Sequence, residues 1–304
     1  MERIEIARKI AENLAGPVAQ VERMPYGHAC ETYLAAGWII KTSLHANAFD
    51  HTLHHFRLLS GLGVPVPPGA TTGSFEAVHF LAYRSMPGRD LGHELATMSR
   101  FQMTRLAEQI VQIQRSVTGL PQGKGFGWTP LEVPGPLKNW LEVVERDSSS
   151  APDEVKALVQ SAAVYLAAHP ATCFLDDITV KNVIMLDGGL QGIVDLDFLC
   201  YGDPMYWLAL TETTVVLDVG FEAKFYCEEL RRFWGLTREE ERATAIYRAI
   251  HASSFLARPD LDASCRERME RFYVESMELT AQNDNSCIEN GPGMMRWCGH
   301  VPGS

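Results

Sequence analysis

The sequence is short of several features, and each absence narrows its function. No run approaches the ~20 consecutive apolar residues of a membrane span. The opening residues, MERIEIARKIAENLAG, hold no apolar core of signal-peptide length. The expectation is a cytoplasmic protein that no membrane holds. Basic stripes are also missing: 27 Lys and Arg stand against 38 Asp and Glu, a net charge of −11. That balance excludes nucleic acid as a partner, because binding a phosphate backbone needs clustered positive charge. The 7 cysteines, at 30, 173, 200, 227, 265, 287 and 298, are odd in number and form no Cys-x-x-Cys pair. They read as reduced thiols, neither a disulfide framework nor a zinc site. Internal repeats and low-complexity tracts are absent. The segment 283–304, with Gly291, Pro292, Gly293, Gly299, Pro302 and Gly303, lacks helical periodicity and reads as an irregular tail.

What is present suffices for a sizeable core, since 46% of the residues are hydrophobic. The acidic surface suits a cationic ligand, but plain solubility is the commoner reason for such a balance. The early chain reads as helix 2–15, ended by Gly16-Pro17, then short strands separated by the loop holding Gly27 and a turn near Gly37. Trp38-Ile39-Ile40 ends in Lys41, which must find an anion or reach solvent. Residues 47–62 form a helix closed by Gly63 and Pro65, and its histidines 51, 54 and 55 read as a surface feature. After the strand 77–83 and Met86-Pro87-Gly88, the composition turns helical, with an apolar stripe through Met103, Leu106, Ala107, Ile110, Ile113 and Val117. Gly88 marks the boundary between a first unit, 1–88, and a second, 89–304.

The stretch 171–210 organises the rest. Val183–Leu186 and Gly192–Leu196 read as strands joined by Asp187-Gly188-Gly189, a strong hairpin signal. The hairpin brings Asn182 and Asp195 together, with Asp177 projecting from the preceding loop. Asp195 lies in the apolar run Ile193-Val194-Asp195-Leu196, where a buried carboxylate needs a cation or strong donor beside it. Hard oxygen donors converging on one point suit Mg²⁺ and phosphate. Asn182 and Asp195 would hold the metal, and Asp177 would orient a substrate hydroxyl and accept its proton.

Asp-x4-Asn, an aspartate thirteen residues further on, and then Gly202-Asp203-Pro204 resemble the catalytic loop, metal-binding aspartate and following segment of the aminoglycoside phosphotransferases and related small-molecule kinases. The resemblance implies an α+β, bilobal protein-kinase-like fold, with a small β-rich N-terminal nucleotide-binding lobe and a larger helical C-terminal lobe. It also implies an enzyme moving the γ-phosphate of ATP or GTP, with Mg²⁺, to a hydroxyl of a small-molecule acceptor of aminoglycoside-like, amine-bearing character. Gly27 and Lys41 would then meet the phosphates, and backbone groups of Tyr83, Arg84, Ser85 and Met86 the nucleotide base. Only six residues, 196–201, separate Asp195 from Gly202-Asp203-Pro204, too few to hold a peptide, which favours a small acceptor. Glu212, Asp218, Glu222, Glu228 and Glu229 fall where the family builds its acceptor pocket.

Departures from the family pattern are visible. Leu175-Asp176 stands where the family writes His-Gly, Trp207 stands where an aspartate is usual, and Asp50 is the one acid in the helix that usually supplies a glutamate. By resemblance to the family's catalytic loop, the spacing from Asn182 makes Asp177 the base, so that Asp176 would face away and cap a local amide. Two alternatives stay open: a non-catalytic nucleotide-binding protein of the same fold, and a metal-dependent hydrolase using Asp176, Asp177 and Asp195.

Overall fold

A computed structural model describes residues 2–24, 30–130, 133–196 and 199–289, with side chains described to residue 281. Helix α1 (Arg3–Ala15) precedes strands β1 (Val21–Arg23), β2 (Glu31–Ala35) and β3 (Trp38–Ser43). Then follow α2 (Thr52–Gly61), β4 (Thr71–Phe75) and β5 (Val78–Arg84). The strands form one antiparallel sheet in the order β1-β2-β3-β5-β4. Strand alternation sorts its side chains between two cores. Trp38, Ile40, Val78 and Ala82 pack on Ile6, Ala7, Ile10 and Ala11 of α1. Leu81 and Tyr83, on the opposite face, join Phe56 and Leu59 of α2 in the main core. Lys41 pairs with Leu81 in register and shares that second face. It sits in mid-strand, two residues before the end of β3 rather than at it. The expected helix from 47 begins only at Thr52.

The chain continues into a mainly helical C-terminal region with β6 (Arg89–Asp90), α3 (Leu91–Glu94) and α4 (Arg100–Thr118). The break between the helices has a local cause. Ser99 caps α4 in a reciprocal capping box with Gln102. Next come β7 (Gly127–Thr129), α5 (Trp140–Asp147), α6 (Asp153–Ser161), α7 (Ala163–Ala168) and β8 (Thr172–Phe174). The hairpin β9 (Val183–Leu186) and β10 (Gly189–Ile193) leads to β11 (Leu199–Gly202). Among the described residues the last α-helices are α8 (Met205–Asp218), α9 (Lys224–Trp234), α10 (Arg238–Leu256) and α11 (Ala263–Glu289). Helix α8 is apolar nearly all round because it is the centre of this bundle, buried from Met205 to Ala209 and from Thr211 to Leu217. Helix α11 carries regular structure to Glu289, past the start of the expected tail, because Met269 and Phe272 dock on Val216, Leu217 and Ala252.

Two small sheets position the site. In β10-β9-β6, the hairpin is joined by Arg89 and Asp90, the residues that follow the connection from β5. In β7-β11-β8, Cys200 pairs with Trp128 on one side and Phe174 on the other. That sheet ties the chain just before Asp177 to the chain just after Asp195. Gly202 ends β11 against the ring of fully buried Trp140, so close that an added Cβ would overlap the ring. Gly202→Ala therefore requires Trp140 or the backbone to move, and is expected to cost ~1–3 kcal/mol, read as a lowered urea midpoint with an unchanged slope.

Candidate active site

The β9–β10 turn is closed by Asp187 and Gly188, at φ 51° and 73°, the left-handed pair that matches hairpin twist. Its far ends meet as expected: the Val194 amide donates to the Asn182 carbonyl at 2.9 Å. Asp195 differs from expectation. The strand stops at Ile193, and Asp195 adopts φ 62°, a left-handed conformation that costs a non-glycine residue free energy and occurs where a side chain must be aimed. Its side chain is 49% exposed rather than buried, and it accepts a bond from Lys41 Nζ, whose side chain is 11% exposed. This pair joins the sheet of the first lobe to the hairpin of the second.

Asp177 lies on the loop between β8 and β9, half-buried. Thr179 Oγ1 donates to its Oδ1 at 3.1 Å, and Asn182 Nδ2 donates to its carbonyl at 3.0 Å. Asn182, with its side-chain amide oxygen, and Asp195, with its carboxylate, stand at the facing ends of the hairpin. An amide oxygen and a carboxylate form a hard donor set, so these residues fit Mg²⁺ with water and phosphate completing the shell. Burial, then the Asp176 and Asp195 carboxylates, push the Asp177 carboxyl up to about 7. Burial likewise raises Asp176 to about 6, opposed by the donors around it. A cation at Asn182 and Asp195 would reverse the larger part of that repulsion.

Asp176 directly precedes Asp177 and is half-buried. Trp128 Nε1 donates to its Oδ2. The carboxylate is near enough to raise Asp177. The loop is also held from beneath. Gln114, fully buried on α4, donates through Nε2 to the Leu175 carbonyl and accepts from the Leu175 amide at 3.1 Å. Thr211 of α8 donates to the Ile178 carbonyl at 3.1 Å. Sequence reasoning did not pick out Trp128, Gln114 or Thr179. For Gln114 a signal existed: position 114 falls on the same helical face as Ile110 and Val117, where a polar side chain must find partners.

On the nucleotide side, Gly27 lies outside the described residues. Tyr83 is buried against Phe56, with ring centroids 6.1 Å apart. The Arg84 amide donates to Pro68 O and the Ser85 amide to Gly37 O, both at 2.9 Å. The Arg84 guanidinium stacks on Trp38 at 4.2 Å, on the α1 face of the sheet and away from the Lys41 face. Met86 lies over β10, against Gly192. Asp50 is exposed and precedes α2, whereas His55, expected at the surface, is fully buried within that helix. Among the described residues no group of His, Cys, Asp and Glu could hold a metal by itself.

The acidic candidates of the acceptor region separate clearly. Glu212 is buried and bound by Arg231, with Nη2 at 2.7 Å, and Glu229 is bound by Arg232 at the same distance. Neither is available to a ligand. Glu222 and Glu228 are exposed. Asp218 reaches the loop, 3.3 Å from Lys181 Nζ. Trp207 is buried against Trp234.

The model of the phosphotransferase enzyme family APH matches residues 41–252, from the strand lysine to the middle of α10. The chain belongs to this family. Solved structures agree on the fold. The APH(2")-IIia complex with GDP and kanamycin has TM-score 0.64 at 15% identity, over 94% of this chain and 99% of that one. An apo thermostable mutant of aminoglycoside phosphotransferase APH(4)-Ia has TM-score 0.61 at 14% identity, over 94% and 100%. Its ternary complex with ADP and hygromycin B has TM-score 0.60 at 13% identity, over 94% and 99%. No curated protein matches the sequence.

In this phosphotransferase the bare carboxylates carry a pH consequence. The folded state holds the Asp177 proton more tightly than the unfolded chain does, so stability falls as pH rises from ~4 toward ~7. In EDTA, the melting temperature of the parent should drop across that window and that of Asp177→Asn should drop less. Equal slopes in thermal scans at pH 5 and pH 7.5 would show that Asp177 is not the group responsible.

Proposed function

We propose that this phosphotransferase moves the γ-phosphate of ATP or GTP to a hydroxyl of a small, amine-bearing acceptor. The observation that carries the reading is the bonded chain from Lys41 through Asp195 to the Asn182–Asp177 loop, with the two lobes contributing opposite ends. Residues 1–88 would bind the nucleotide and 89–304 the acceptor. Lys41 would exchange its bond to Asp195 for one shared with the nucleotide phosphates, with Gly27 beside them. Because the Arg84 and Ser85 amides are already engaged, the nucleotide base would be met by the Ser85 carbonyl and the Met86 amide, against the Tyr83 end of the sheet. Asn182 Oδ1 and Asp195 would hold Mg²⁺, which when bound neutralises charge on the transferring phosphate. Asp177, fixed by Thr179 and Asn182, would align the acceptor hydroxyl and accept its proton. Alignment and charge compensation supply most of the rate in such transfers.

The small acceptor is supported by the six-residue separation between Asp195 and Gly202, and its cationic character by the net charge of −11. The neighbouring folds are complexed with kanamycin or hygromycin B, and with GDP or ADP, which suits the same classes here. The hydrolase alternative is disfavoured by Asp176, whose carboxylate is engaged by the Trp128 indole. The composition and the absence of a membrane-crossing helix among the described residues suit a cytoplasmic setting.

The test is release of ADP or GDP across a panel of aminoglycosides, choline-like and sugar-like alcohols. Acceptor-dependent release is expected; none from any amine-bearing alcohol would refute the reading. Asp177→Asn should bind Mg-nucleotide as the parent does yet lose ~10²–10⁴-fold in rate. Asp195→Ala should abolish metal-dependent nucleotide binding in titration calorimetry, and parental affinity would move the metal elsewhere. Lys41→Ala should weaken nucleotide binding by ~1–3 kcal/mol, and an unchanged dissociation constant and rate would remove it from the phosphate site.

A further inference from the structure

A carboxylate directly beside the proposed base is unfavourable on its own: Asp176 repels Asp177, and its own burial raises it to about 6. Its cost is offset by the Trp128 indole, whose N–H donates to Asp176 Oδ2. Asp176 is joined to Asp177 by one peptide bond, so holding the Asp176 side chain restrains the peptide plane that carries Asp177. The indole is in turn held rigidly. Trp128 is the central residue of β7, paired with Cys200 of β11. Its ring meets the Tyr206 edge at 5.9 Å and lies under the Arg146 guanidinium at 5.6 Å. Tyr206 is itself tied by its hydroxyl to Asp147 at 2.8 Å. On the other side of Asp176, Leu175 has no polar side chain, and Gln114 takes both of its backbone groups.

We propose that Trp128 and Asp176 are a positioning pair: the indole N–H clamps the Asp176 carboxylate, and that clamp, through the peptide bond joining Asp176 to Asp177, holds the base in line with the acceptor hydroxyl. The role rests on the phosphotransfer reading given above for Asp177. Neither residue touches the reacting atoms; both act through the backbone of the loop. What the pair requires of residue 176 is an acceptor oxygen, not a charge. Asp176→Asn keeps that oxygen and also relieves the repulsion, whereas Asp176→Ala removes it. Trp128→Phe keeps the ring packing on Tyr206 and removes only the donor.

The test combines a spectrum with a rate. In ¹H–¹⁵N spectra of the ligand-free full chain, the Trp128 indole resonance, assigned by its loss in Trp128→Phe, should move upfield in Asp176→Ala and stay near its parental place in Asp176→Asn. In Mg²⁺-dependent ADP or GDP release, with water and with kanamycin as probe acceptors, Trp128→Phe and Asp176→Ala should each lower kcat ~10- to ~100-fold, the scale of a misaligned reacting group. KM for nucleotide should not change. Asp176→Asn should retain most of the rate, and the Trp128→Phe/Asp176→Ala double variant should be no slower than the slower single one. An indole resonance unmoved by Asp176→Ala, multiplicative losses, or parental kcat in both single variants of an active parent would overturn the positioning pair alone. A parent no faster than Asp177→Asn would overturn the phosphotransfer reading, and the pair's role with it.

Discussion

Three carboxylates, those of Asp176, Asp177 and Asp195, share one cleft, and the rest of the structure depends on how their mutual repulsion is contained. Each is neutralised differently. Asp195 takes a cation, Lys41, from the opposite lobe. Asp176 takes a neutral indole N–H, while Asp177 takes a hydroxyl and keeps a raised proton affinity. The ordering follows exposure. On the proposed function, the half-exposed Asp195 would exchange its lysine for a metal and water at little desolvation cost, whereas Asp176 would keep its indole. The site would then admit charge at one of its three carboxylates.

Much of this was legible in the sequence where local chemistry decides the outcome. Asp187-Gly188 dictates a hairpin, the hairpin dictates that Asn182 and Asp195 meet, and strand alternation puts Lys41 on the inner face. What escaped detection depended on contacts distant in sequence. The indole of Trp128 reaches Asp176 across 48 residues, and Gln114 reaches Leu175 across 61. No pattern near 176 announces either. Asp195 departs from its apolar run for a related reason: the strand ends at Ile193, and the left-handed turn at φ 62° leaves the carboxylate exposed and bonded to Lys41, a partner 154 residues away. His55 and Glu212 failed in the same way, since helical position alone does not say which polar side chain a neighbouring helix will bury.

Beyond the site, β11 runs in the core between β7 and β8, and Gly202 lets it pass the Trp140 ring. Asp203 is then buried completely. The Met205 amide donates to it at 2.9 Å, the Tyr247 hydroxyl at 2.9 Å and the Tyr165 hydroxyl at 3.0 Å, with His169 at 3.5 Å. Burial raises its proton affinity, and His169 is foremost among the groups that oppose the rise. A buried carboxylate with this many donors fixes the start of α8 in one orientation. Through the Thr211 hydroxyl, α8 in turn holds the Ile178 carbonyl next to Asp177. The Gly-Asp-Pro turn therefore reaches the proposed base by two routes, through α8 and through β11 to Trp128. A displacement of that turn would misalign Asp177 without any change in the residues that contact nucleotide.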